Sequence, residues 1–151
     1  MKLPKMHLEI ILILTIILLL TRSDFNSINQ NKDVSRVCIK ENCFSVELAI
    51  TEREKQKGLM NREHLDKDKG MLFIYDIPIK SDFWMKNTLI PLDIIWINRN
   101  NKIIHIITAY PCKESSCQIY TSDKEALYVL EINANLTKEL NIKEEDFVLI
   151  T

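Results

Sequence analysis

The run Asp93-Ile94-Ile95-Trp96-Ile97-Asn98-Arg99-Asn100-Asn101-Lys102-Ile103-Ile104-His105-Ile106-Ile107-Thr108 reads as one β-hairpin. Isoleucine and tryptophan on both arms suit a pleated, packed surface. Asn100-Asn101 marks the turn, because asparagine accepts positive φ where glycine is missing. That two-residue turn sets Arg99 opposite Lys102, Trp96 opposite His105 and Asp93 opposite Thr108. Ile94, Trp96, Ile103 and His105 then share one face. Ile95, Ile97, Ile104 and Ile106 share the other, with Asp93 at its end. Both faces are apolar, which predicts a central hairpin covered on both sides.

Outward from the hairpin the chain continues in short strands. Residues 34–38 and 43–50 read as a first hairpin, with a turn at 39–42 in which Asn42 supplies positive φ and Cys38 faces Cys43. Thr51 and Glu54 form a capping box that opens a short, wholly polar helix, ended by Gly58. A charged loop at 61–69 leads to an apolar strand at 70–75, bounded by Pro78, and then to a short strand at 83–85. Beyond the hairpin lie a cysteine-bearing loop at 111–122, a strand at 126–132, one helical turn at 137–140 and a final strand at 147–150. Seven or so short strands with one short helix predict a mainly β domain, a compact sandwich or barrel-like fold, over residues 34–151.

Composition narrows the function classes. The chain has 151 residues, 46% apolar and 27% charged, which excludes intrinsic disorder and fits one domain. Glycine occurs twice, where average usage near 7% would give about ten. Glycine-rich phosphate-cradling loops are therefore excluded. Net charge is −1, so no basic excess exists to neutralise nucleic-acid phosphates.

Lys2 and Lys5 precede an apolar run at 10–20, broken only by Thr15. Such a run fits a signal-peptide core or an uncleaved signal anchor over residues 1–23, with Thr21 and Ser23 as small residues before a cut at Asp24. Residues 24–33 read as a polar tether. On either reading the domain is expected outside the cytoplasm, with the membrane as a partner only through its N-terminal segment. The four cysteines fall into two C-x₄-C pairs, Cys38/Cys43 and Cys112/Cys117. In an oxidising compartment these predict two local disulfides, with a Cys₄ zinc site as the rival.

Several motifs occur in a fixed order: Gly58-Leu59-Met60 with Arg62, Gly70-Met71-Leu72-Phe73, Phe83-Trp84-Met85-Lys86-Asn87-Thr88 and Pro91-Leu92-Asp93-Ile94. Pro111-Cys112 with Cys117 and Tyr120, then Val129-Leu130-Glu131, continue the series. Together they resemble the family known as domain of unknown function 192, a group of uncharacterised envelope proteins, over residues 35–150. The resemblance implies a compact mostly-β sandwich with a short helix after the first hairpin, often behind a signal or membrane anchor. It implies no reaction. The chain departs from the family pattern where glycine is usual: Asn135, Asn141 and Glu145 stand in its place. Asparagine tolerates the left-handed region, whereas Glu145 predicts a strained or reshaped last turn.

Trp84, Lys86 and Asn87 are the candidate ligand-binding residues, joined by Asp93. An aromatic ring, a cation and an amide within four residues suit a small polar or sugar-like ligand. Asp93, heading an isoleucine-rich strand, is expected to be buried and to anchor the Trp84–Thr88 loop through Lys86 or that loop's N–H groups. The leading reading is a small-ligand-binding or accessory module with no cofactor and no metal. The alternatives are a small hydrolase-like enzyme using Lys86, Asp93 or His105, and a purely structural interaction domain. Met60, Met71 and Met85 fit core packing, His105 fits a satisfied core residue, and the serines lack a nucleophile elbow.

Overall fold

The computed structural model describes residues 34–113 and 116–151. The expected N-terminal anchor and tether lie outside these residues. Among the described residues no helix is long and apolar enough to cross a membrane.

The N-terminal half holds β1 (Val34–Ile39), β2 (Asn42–Ala49), α1 (Glu52–Lys57), β3 (Lys69–Ile79) and β4 (Asp82–Trp84). The C-terminal half holds β5 (Leu92–Ile97), β6 (Ile103–Ala109), β7 (Ile119–Thr121), β8 (Ala126–Asn133), α2 (Leu136–Glu139) and β9 (Val148–Ile150). Seven strands form one sheet in the order β6-β5-β8-β3-β2-β1-β9, and β4 pairs with β7 in a second. Among the described strand pairs only β2 and β3 run parallel, joined across α1. The mainly β expectation holds, and the helical turn expected at 137–140 forms a second short helix, α2.

The outer strands of the long sheet meet at one end. Ile103 N–H donates to Asp146 O at 3.0 Å and Val148 N–H to Asn101 O at 2.8 Å, while β9 pairs with β1. The sheet therefore curls toward a barrel. One of its faces packs Val46, Leu72, Ile95, Ile97, Leu130 and Ile132. The other packs Phe73, Ile94, Trp96 and Val129. Phe83 of β4 seals the small sheet onto this second face, meeting Phe73 and Trp96 edge-on at 5.0 and 5.8 Å between centroids.

The deciding hairpin keeps the expected pairs Trp96–His105 and Asp93–Thr108, but not the expected turn. Asn98 N–H donates to Lys102 O, so the loop is three residues long, with Asn101 left-handed at φ 57°. The Asn98 side chain fixes this turn by accepting from Asn100 and Lys102 N–H groups. A bulge after Trp96 then restores the register. Its consequence is a swap: Ile103 packs with Ile97, whereas Ile104 joins Trp96. The hairpin is also not central as a unit. β5 is buried throughout between β6 and β8, while β6 ends the strand order.

Elsewhere the local reading holds with small corrections. The α1 capping box forms with Thr51 and Glu54, and Gly58 ends the helix at φ 46°. Lys40, rather than Asn42, takes positive φ in the first hairpin. Cys38 and Cys43 pair across that hairpin and are disulfide-bonded, as are Cys112 and Cys117. These are the two local pairs expected, and none of the four cysteines is left as a free thiol.

Left-handed residues explain how the chain manages with two glycines. Five of them are asparagine, and the predicted positions Asn135, Asn141 and Glu145 all have positive φ. At Gly70 the requirement is space instead. A Cβ there would lie 2.6 Å from the Glu131 carbonyl oxygen and 3.1 Å from the Ile132 side chain. β3 is bonded on both sides, so neither backbone can retreat cheaply. Gly70→Ala is expected to destabilise the fold by about 2–3 kcal/mol, measurable by denaturant unfolding. A midpoint equal to that of the parent chain would show that the close approach is not rigid.

Candidate functional site

β8 carries one acidic residue in an otherwise apolar stretch, Glu131. Its neighbours across the sheet are Met71 on β3 and Ile94 on β5, both buried and apolar. Two residues along the strand, Val129 is core and Asn133 spends its amide N–H groups on Leu65 and Asp66 carbonyls. Glu131 is thus only 5% exposed. Among the described residues it has neither a hydrogen-bond donor nor a cationic partner. No fully enclosed side-chain polar atom among them lacks a partner, so the carboxyl of Glu131 must keep an opening.

That opening is a cleft of about 290 Å³ between α1 and β4. Phe73 and Tyr75 of β3 and Phe83 and Trp84 of β4 supply aromatic walls, and Glu131 lines it with them. Glu52 and Lys55 of α1 and Asp82 of β4 supply charge. Lys55 is held by Glu52 at 3.2 Å and lies 4.6 Å over the Tyr75 ring. Burial pushes the Glu131 carboxyl up to about 8, so at neutral pH it carries its proton. The Tyr75 phenol is also raised, by burial first and then by the negative charges of Glu52 and Glu131, against a hydrogen bond with Ser81. The site presents a proton donor and exchangeable negative charge among aromatic faces, which suits binding or proton transfer.

The residues expected from sequence are divided by this geometry. Trp84, 51% exposed, lines the cleft, and the Lys86 ammonium lies 5.3 Å over its ring. Lys86 and Asn87 themselves line a neighbouring depression with Pro111, Cys112 and Lys113, and Thr88 borders both. Asn87 serves as a turn residue at φ 58°, its carbonyl accepting from Asn61 N–H.

Asp93 is correctly expected to be buried, but it does not anchor the Trp84–Thr88 loop. One carboxylate oxygen accepts from Thr108 Oγ1 at 2.6 Å and Asn135 N–H at 3.0 Å. The other accepts from Thr137 N–H at 2.9 Å and Thr137 Oγ1 at 2.7 Å. Asn135 gives α2 no side-chain cap, so Asp93 supplies one from β5. Lys86 was the nearest cation in sequence, but backbone donors brought by β8 pairing are nearer in space. His105 faces Glu144 at 3.1 Å and contacts the Trp96 ring, so Lys86, Asp93 and His105 occupy separate settings.

Glu131 is the residue that local reading passes over. Its signal is an acid within the apolar stretch 126–132, at a position where strand alternation turns it to the Val129 face.

The comparisons agree with this architecture. A crystal structure of a protein of unknown function from Novosphingobium aromaticivorans DSM 12444 is 36% identical, with a TM-score of 0.69, covering 77% of this chain and 83% of that one. A second, from Sinorhizobium meliloti 1021 and provisionally described as a transcription regulator, is 32% identical with a TM-score of 0.70, covering 77% of this chain and 91% of that one. No curated protein matches. The profile of the DUF192 family (Uncharacterized ACR) matches residues 35–150, and on this match and these identities the chain belongs to that family.

Proposed function

We propose that the domain is a small-ligand-binding module facing a compartment outside the cytoplasm, and that its ligand sits in the cleft between α1 and β4. One observation carries the reading: a buried carboxyl without a partner opens into a cleft walled by an exposed tryptophan. A purely structural core would satisfy or replace such a group, since an unmet buried carboxyl costs stability without return. Trp84 supplies a stacking face and Glu131 a hydrogen bond, while Lys86 and Asn87 belong to the neighbouring depression. Two disulfides support the oxidising location.

The test is an NMR titration of the ¹⁵N-labelled full-length chain with methyl α-glucoside, glycine and ethylamine. Shifts concentrated on the Trp84 indole and on Tyr75 and Glu131 amides are expected with at least one probe. Trp84→Ala should then weaken that probe about fivefold to tenfold, the loss of one aromatic contact of about 1 kcal/mol. Shifts absent at millimolar concentrations, or confined elsewhere, would overturn the reading.

A further inference from the structure

We propose that the cleft selects a small organic ammonium ion, with Glu131 as its counter-charge and the Tyr75 and Trp84 rings as its walls. The inference rests on the binding reading above and names its ligand class. Three features point to a cation. The floor carboxyl lacks a positive partner, which an ammonium group entering the cleft would provide. The other charged residues on the cleft, Glu52 and Asp82 against Lys55 and Lys57, are matched in number, so the lining carries no net positive charge to oppose a cation. Aromatic faces attract cations through the ring quadrupole, most strongly where water is displaced.

The chain itself shows the preference of these two rings. Tyr75 and Trp84 each already hold a lysine ammonium, Lys55 at 4.6 Å and Lys86 at 5.3 Å. Lys55 does not serve Glu131, because Glu52 holds it on the α1 side. Lys57 is exposed at the rim, and Tyr75 bears no charge at neutral pH. The volume, about 290 Å³, lies at the small end of ligand sites, which favours a compact amine over an extended one.

Binding has a proton balance that a neutral ligand lacks. With its pKa about 8, the empty-site carboxyl is protonated at pH 7. Pairing with an ammonium ion makes it a carboxylate, so the O–H proton leaves to buffer while the ligand keeps its own charge. Release should approach about 0.9 proton per ligand at pH 7, the fraction protonated one unit below the midpoint.

The experiment is calorimetry of the full-length chain with n-butylammonium chloride, n-butanol and methyl α-glucoside, in two pH 7 buffers of different ionisation enthalpy. The expected result is ammonium binding at least tenfold tighter than n-butanol, with proton release near that value. Glu131→Gln, checked for an intact melt, should lose at least tenfold in ammonium affinity and abolish the release. Equal affinity for alcohol and ammonium, or a Glu131→Gln chain that binds ammonium as before, would overturn the proposal. Glucoside or butanol binding that depends on Trp84, without ammonium binding, would overturn the cation class and leave the cleft as the binding site. Silence from all three probes would overturn both.

Discussion

Asp93→Ala is expected to destabilise the domain by about 3–5 kcal/mol, the range for removing one partner of a buried charged network. The carboxylate is fully buried and accepts four hydrogen bonds, two to each oxygen. Bonds to a charged acceptor contribute about 1.5–3 kcal/mol each, and removing the acceptor strands its donors in a dry site. The donors span three elements: Thr108 on β6, the left-handed Asn135, and Thr137 in the first turn of α2. Losing the carboxylate therefore loosens the corner that carries the chain from β8 into the last strand. Asp93→Asn separates chemistry from volume. It keeps the shape, yet its amide N–H₂ faces donors, so most of the loss should remain. Chemical unfolding checks both; an Asn variant as stable as the parent would mean that packing alone holds the corner.

Glu131→Gln is expected to stabilise the domain by about 3 kcal/mol at pH 7 and to change little below pH 4.5. The carboxyl titrates from 4.5 in the unfolded chain to about 8 in the fold. Between those values the folded state binds more protons than the unfolded one, so stability falls as pH rises. The contribution is fully present below 4.5, is lost through the interval and levels off above 8. Each unit of raise corresponds to about 1.36 kcal/mol, and pH 7 lies some 2.5 units into the interval. Glutamine cannot ionise and should remove this slope. Parallel urea melts of both chains from pH 4 to pH 9 read the difference, and curves that stay parallel throughout would refute it.

Local chemistry was legible wherever neighbours in sequence decide it. The Thr51–Glu54 capping box and the Cys38–Cys43 pairing follow from short-range rules, whereas the left-handed Asn135, Asn141 and Glu145 were legible only through the family resemblance, as positions where glycine is usual. The hairpin was legible in pairing but not in turn length, because the Asn98 side chain stabilises a longer loop and the bulge hides the slip. Strand order was not legible. β8 inserts between β5 and β3, and nothing within 126–132 announces those neighbours. That insertion brings Asn135 and Thr137 to Asp93 and turns Glu131 toward the cleft, so both partnerships escaped a reading by proximity along the chain. Trp84 stood out because an aromatic beside a cation and an amide is itself a signal, and the structure places it on the cleft. Glu131 was missed because its significance lies in the donors that its neighbours lack.

The most direct measurement is an NMR titration of the Glu131 side-chain carboxyl carbon in the full-length, ¹³C-labelled chain. A carboxyl buried at the floor of the cleft without a partner should titrate near 8. A midpoint at or below 4.5 would mean that a donor or a cation already holds it ionised, and would contradict both the open floor and the ligand site built on it.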